Sequence, residues 1–336
     1  MAAVTLVEVA RHANVSLATA SRVLNGSQRT PTEGIAQRVR ASARELGYVA
    51  NAQAQALARS ATGLVGLVVH DIADPYFSTI TRGAQRYAGA QRSQILLAGA
   101  ERNERAELQA VATFIAYRTQ AIILAGSRRV EPDDELAGEL ARYLGHGGRV
   151  VTLGPSTIPE ARFLEIRHRA GAERLVEALI ARGVTDFAIL AGPPELRTAD
   201  DRVRGYQDAL ARAGLAPLAV LPSDFDREGG FVTAQRFWAE LPAGQRGRRV
   251  CLLVVNDVMA LGAIAGLRAL GLGVPEDVQV AGFDDIPTLR DFTPSLTTVR
   301  LPLELIGERA AELALAPQPD GLPAIDAEPV LRDSAG

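Results

Sequence analysis

Nine short apolar runs, at residues 64–69, 94–98, 121–125, 149–153, 163–166, 187–191, 218–221, 251–255 and 278–281, alternate with helix-length stretches or crossovers. An unbroken apolar run of this length reads as a strand buried on both faces, which is how strands of a helix-covered parallel sheet look. Strand, crossover and strand again is the pattern of such a sheet. Nine runs exceed the roughly four to six strands of an ordinary open sheet. The spacing therefore predicts two doubly wound α/β subdomains, with ligands bound in the crevice outside the carboxyl ends of the strands.

Residues 1–60 follow a different pattern. Thr5-Leu6-Val7-Glu8 is a capping box, in which hydroxyl and carboxylate satisfy the first free amides of a helix running to about Ala13. Ser16 is placed to cap a second helix, which stops at Asn25-Gly26. Thr30-Pro31-Thr32-Glu33 reads as another capping box, opening a third helix through Leu46. Leu6, Val9 and Ala10, then Val15, Ala20, Val23 and Leu24, then Ile35, Val39 and Leu46 form apolar stripes at helical spacing. Three short helices with a tight turn between the first two describe an all-α helix-turn-helix head. Its second helix would enter a DNA major groove, with Leu17 and Ala18 against thymine methyls and Arg22 donating to guanine. Ser16, Thr19 and Ser21 are short donors suited to phosphates or base edges.

Charge agrees with that division. The chain has no lysine, so all 36 cationic residues are arginine against 39 acids, a net charge of -3. Residues 1–59 carry +4 and the remainder -7, so a small basic head on an acidic body is the part suited to a polyanion. No apolar run approaches the roughly 18 residues of a membrane helix. Glu8, Arg11 and His12 interrupt any secretion signal, so a soluble, cytoplasmic chain with no membrane partner is expected. A single cysteine, Cys251, excludes an internal disulfide, and four dispersed histidines show no ligand spacing, so no metal and no cofactor are expected. Neither a Gly-x-Ser-x-Gly elbow nor a Gly-x-Gly-x-x-Gly fingerprint occurs, and a chain without lysine has no phosphate loop. An enzyme is disfavoured. The alternative is a solute-binding or enzymatic two-lobed α/β protein with no DNA role.

The stretches Val4–Ala10, Val15-Ser16 and Thr19–Gly26, continuing through Glu45-Leu46-Gly47-Tyr48 and Asn51, resemble the DNA-binding head of the lactose-repressor (LacI/GalR) family. In the body, Val255-Asn256-Asp257 through Gly262, Val274-Pro275-Glu276-Asp277-Val278, Ala281-Gly282-Phe283-Asp284-Asp285 and Leu296-Thr297-Thr298-Val299 resemble the same family's effector-binding core. The resemblance implies a helix-turn-helix domain at 1–50, a hinge helix at 51–61 and an effector-binding and dimerisation domain at 62–336, built like a periplasmic binding protein. It places the N-lobe at about 62–160 and 291–320 and the C-lobe at about 161–290 and 321–336.

By the same resemblance the chain is a repressor that binds a near-palindromic double-stranded DNA operator as a homodimer, controlled by a small-molecule effector, a sugar or derivative, between the lobes. DNA contacts would fall on Thr5, Ser16, Leu17, Ala18, Thr19, Ser21, Arg22, Asn25, Tyr48, Asn51, Ala54 and Leu57, the last as a minor-groove wedge. The departures are Ala50 for a proline and Gln55 for an arginine in the hinge. Effector contacts would fall on Asp71, Tyr76, Phe77, Thr198, Arg202, Phe225, Asn256, Asp257 and Phe283, with Asp257 and Arg202 as paired polar anchors. Ile166-Arg167-His168 stands where many relatives carry an aspartate, which would suit an acidic or phosphorylated ligand. The dimer interface is expected on helices 76–90 and 104–117. Prolines at 317, 319, 323 and 329 leave no C-terminal heptad, so a dimer rather than a tetramer is expected.

Overall fold

The computed structural model describes residues 4–25, 31–49, 62–127, 134–245, 248–317 and 324–336. Two compact units emerge, Met1–Gly63 and Leu64–Gly336.

The head holds three helices, α1 (Leu6–His12), α2 (Leu17–Asn25) and α3 (Glu33–Glu45). Thr5 and Glu8 form the expected capping box on α1, the Thr5 N–H donating to Glu8 Oε2 at 2.7 Å. Asn14, at φ 52°, takes the turn between α1 and α2. Ser16 Oγ accepts the Thr19 N–H at 3.1 Å, as an N-cap should. The third helix departs from its predicted start: it begins at Glu33 after Thr32, and the Thr32 side chain makes no capping hydrogen bond. Val9, Ala20, Ala36 and Val39 are wholly buried at the centre, ringed by Leu6, Val15, Leu24, Ile35, Leu46 and Tyr48. So small a core is built from alanines and valines because three short helices must approach closely to close it.

In the body, β1 (Leu64–Val69), β2 (Gln94–Gly99), β3 (Ala121–Leu124), β4 (Val150–Leu153) and β5 (Arg162–Leu164) form a parallel sheet of order β2-β1-β3-β4-β5. Its crossovers carry α4 (Pro75–Ala90), α5 (Glu104–Ala116) and α6 (Asp134–Gly145). A second parallel sheet, order β7-β6-β8-β9, contains β6 (Phe187–Ala191), β7 (Val220–Pro222), β8 (Val250–Val254) and β9 (Val278–Ala281). Helices α7 (His168–Ala181), α8 (Arg197–Arg212), α9 (Arg227–Glu240) and α10 (Asp257–Ala269) accompany it. The chain then runs through β10 (Thr298–Arg300), returns to the first sheet as α11 (Leu303–Leu315), and comes back as β11 (Glu328–Val330), antiparallel to β10.

Both faces of the central strands β1, β3 and β4 are buried, as the unbroken apolar runs require, whereas the edge strand β2 is exposed to half-buried. Along β1, Leu67 and Val69 face one cluster while Val68 belongs to the other, with Val111, Phe114 and Leu140. One strand sits elsewhere than expected: residues 162–164 pair in parallel with β4, extending the first sheet beyond the predicted lobe change near 160. An apolar run cannot say which of two sheets it joins, because burial is equal in both.

Candidate functional site

On the head, α2 turns Leu17, Ala18 and Arg22 outward, with Ser16 exposed at its start. Leu17 is 49% exposed, a position of no use to the core and well suited to an apolar base edge. Thr19 and Ser21 are half-buried beside that face, and Ser16 and Thr19 share a hydroxyl contact of 2.8 Å. Thr5 is exposed, but its hydroxyl lies 2.8 Å from Glu8 Oε2 within the capping box. Tyr48 packs its ring on the small core. Asn51, Ala54 and Leu57 lie outside the described residues, as does the Asn25 side chain.

In the body, one cavity of about 40 Å³ lies where the carboxyl ends of both sheets meet, room for about three or four waters at 10–15 Å³ each. Six of the nine residues expected there line it: Tyr76, Phe77, Thr198, Arg202, Phe225 and Asn256. Pro75 opens α4 behind Asp74, whose carboxylate caps the Tyr76 N–H at 2.8 Å, and this turn presents the edge-to-face Tyr76–Phe77 pair. Asn256 caps α10 through the Met259 N–H at 2.7 Å. Three residues do not line the cavity. Asp71 is exposed and its carboxylate is turned back on the Ala73 N–H. Phe283 is fully buried beneath the Arg202 guanidinium, 3.9 Å from its ring centroid. Asp257, also fully buried, spends one oxygen on the Thr298 hydroxyl at 2.6 Å and the other on the Ile286 N–H at 3.0 Å. Asp257 is thus a joint between α10 and the crossover strand β10, and the expected anchor pair of Arg202 and Asp257 is replaced.

Its replacement is Arg202 with Asp284. Arg202, 1% exposed, donates to Asp284 Oδ1 at 2.7 Å and to the Val255 carbonyl at 2.6 Å. Burial pushes the Asp284 carboxyl up to about 7, against the pull of Arg202. Burial first, and the Asp284 charge after it, push Asp257 well above the ordinary carboxylate range. Asp284 at φ 120° and Asp285 at φ 55° are both left-handed. That conformation is costly for a residue with a Cβ, and here it sends adjacent carboxylates opposite ways. Asp284 faces Arg202, whereas Asp285 pairs with Arg300 and Arg332, each at 2.6 Å, on the crossover segments.

His70, Asp74, Arg102, Ser127 and His168 complete the polar wall; of these only His168 is among the residues the sequence points to, as a contact for an acidic ligand. All five lie within a few residues of a strand end, the signal that picks out such loops. Arg167, offered as a contact for an acidic ligand, does not line the cavity and pairs with Asp326 at 3.1 Å. Burial, with the Arg202 charge behind it, holds the His168 ring well below 6.5, so that residue brings no positive charge either. Each cavity guanidinium has a carboxyl group in the same wall: Asp284 for Arg202, and Asp74 within the field of Arg102. Aromatic faces, hydroxyls and an amide, with each guanidinium already engaged by a carboxyl group, are surfaces suited to a polyhydroxylated molecule.

Comparison with known proteins agrees with both halves. Residues 5–51 match the family described as bacterial regulatory proteins, lacI family, and residues 176–332 match a periplasmic binding protein-like domain. The chain is 35% identical over 317 residues to the HTH-type transcriptional regulator GalR of Escherichia coli strain K12, covering 93% of this chain and 88% of that protein. Among solved structures, the lac repressor dimer bound to operator and the anti-inducer ONPF matches at a TM-score of 0.83 and 27% identity, with 99% of each chain covered. The complex of the transcriptional regulator CelR with cellobiose matches at a TM-score of 0.69 and 27% identity, covering 99% of this chain and 100% of that one. A basic helix-turn-helix head on a two-sheet ligand-binding body, matched along nearly its whole length to such regulators, makes this chain a member of the lacI family of bacterial regulatory proteins.

Proposed function

We propose that this chain is a cytoplasmic repressor that binds a near-palindromic operator as a homodimer and is controlled by a neutral sugar or sugar derivative in the cavity between its two sheets. The observation that carries the reading is the match of 99% of the chain to an operator-bound lac repressor dimer. In the head, the outward Leu17, Ala18 and Arg22 support α2 as the reading helix. In the body, the engagement of Arg202 by Asp284 and of Arg102 by the Phe225 carbonyl leaves neither guanidinium free for a phosphate, which supports a neutral ligand over a phosphorylated one. One short helix reads too few bases for a unique address, which calls for two heads. Leu97 on the edge strand β2 and Tyr117 at the end of α5, 44% and 55% exposed, offer apolar surface for the pairing. Helix α4 contributes less than its apolar content promises, because α11 covers it and its outer face is Ser78, Arg82, Gln85 and Arg86.

A gel-shift selection on fragmented genomic DNA, with and without neutral sugars and sugar phosphates, tests the reading. The expected result is a few retained fragments carrying inverted repeats, with retention altered by a neutral sugar. No preference for any duplex over bulk competitor would refute it.

A further inference from the structure

His168 opens α7 beside the cavity and is 6% exposed. Its Nδ1 lies 3.4 Å from Arg202 Nε and 3.3 Å from Arg202 Nη2. A guanidinium has only donors and does not lose its protons in a protein. Nδ1 must therefore be the bare, accepting nitrogen, and the neutral ring carries its proton on Nε2. Arg202 has no freedom to leave, since its Nη2 also donates to Asp284, its Nη1 donates to the Val255 carbonyl, and the Phe283 ring lies beneath it. Among the described residues no hydrogen-bond partner meets Nε2, while the residue itself lines the cavity.

We propose that Arg202 locks His168 as a fixed N–H donor toward the cavity, making His168 a specificity-determining residue that reads an acceptor oxygen on the bound ligand. The inference rests on the cavity being the effector site. A carboxylate in this place would read a hydroxyl donor instead, so the histidine inverts the polarity demanded of the ligand there. Burial and the Arg202 charge both oppose protonation, so the donor keeps one form across ordinary pH. The other titratable groups in the same wall are His70, Asp74, Tyr76, Arg102 and Asp284.

Two measurements on the full-length protein decide the matter. Selective 15N labelling of histidine distinguishes protonated from bare ring nitrogens, and with four histidines in the chain the spectrum is simple; His168→Gln identifies the signal by its loss. The expected spectrum shows one neutral form with the proton on Nε2, unchanged between about pH 5 and pH 8. A proton on Nδ1, or titration within that range, overturns the lock. In the second measurement, a panel of aldopentoses, aldohexoses and cellobiose is screened by thermal shift. His168→Gln keeps an acceptor for Arg202 and a donor for the ligand, so it retains affinity for the responding sugar within about threefold. His168→Leu loses about tenfold or more. Equal affinity in wild type and His168→Leu overturns the reading of a ligand oxygen. Silence of the wild type across the panel counts against the sugar class itself, and the tautomer spectrum still decides His168.

Discussion

Two buried carboxyl groups near the cavity have different work, and their surroundings say which. Asp257 is wholly committed to Thr298 and Ile286, so Asp257→Ala leaves a hydroxyl and an amide unsatisfied and should destabilise the chain by about 1–3 kcal/mol. Urea unfolding checks this, with Thr298→Val expected to recover part of the same loss; a stable variant that had lost only its response to ligand would restore Asp257 to the cavity. Asp284 faces Arg202, and its pKa is raised in the folded state from 3.8 to about 7. The folded chain then holds a proton that the unfolded chain releases, so this group's contribution is full below about 4 and disappears as pH rises toward 7. His168 acts the other way, since its lowered pKa makes folding less favourable as pH falls below 6.5. The difference in unfolding midpoint between wild type and Asp284→Asn isolates the carboxyl: the wild type should lose ground against the variant between about pH 5 and pH 7.5. Parallel curves would mean that Asp284 is ionised throughout. The resemblance to the family names Arg202 as an anchor, and the structure places it in the cavity wall. Its partner was not legible in the sequence. Asp257 and Asp284 each lie about three residues beyond a strand, and sequence alone does not reveal which carboxylate a backbone turn of φ 120° aims inward.

Helix pairing in the body is set by glycines at the crossings. Gly83 of α4 faces Gly307 of α11 so closely that a Cβ on either would sit 1.9 Å from a main-chain carbonyl oxygen, Glu304 for the first and Ile80 for the second. Backbone atoms have nowhere to move, so Gly83→Ala must push the two helices apart. A cost of about 1–3 kcal/mol follows for overpacking, read as a lower urea midpoint with DNA recognition by the folded fraction unchanged. An unaltered midpoint would show the crossing to be looser than this. The same elements mark what pattern recognition reaches. Runs 64–69, 187–191 and 278–281 became strands with those very limits, because an apolar run between glycine-rich and polar stretches has one comfortable conformation in a covered sheet. Helix-start signals worked where a side chain closes the cap, at Thr5 and Ser16. They misled at Pro31 and Thr32, which stay outside the helix beginning at Glu33, while the expected cap Thr30 lies outside the described residues. Residues 162–164 joined the first sheet against expectation because strand pairing is a long-range choice that local hydropathy does not encode.

Across the whole body, two contacts tie the first-sheet lobe to the second directly at the cavity. Arg102 donates from Nη2 to the Phe225 carbonyl, and its guanidinium stands 5.4 Å from the centroid of the Phe225 ring. The Thr198 N–H donates to Ser127 Oγ at 3.2 Å. Glu101 and Arg102 reach this position in left-handed conformations, φ 47° and 55°, on a loop that ends at the Asn103 cap of α5. A loop in this costly conformation holds a cation against an aromatic wall of the other lobe, and that contact ties the two lobes together. Arg102, Ser127, Thr198 and Phe225 all line the cavity, so a ligand bound there meets both of these ties. If ligand and operator each favour one arrangement of the lobes, each must alter the affinity of the other by the same factor. Arg102→Ala removes the stronger tie and should shift the ligand-free lobes toward the open arrangement. Spin labels at Gln109→Cys on α5 and Gln207→Cys on α8, both exposed positions, report the separation, and the one native cysteine is buried and will not take label. Diluting labelled chains into unlabelled protein confines the signal to pairs within one chain. The distance distribution should lengthen or broaden in Arg102→Ala while Arg102→Lys falls between it and the parent; identical distributions in all three would show that closure does not depend on this residue.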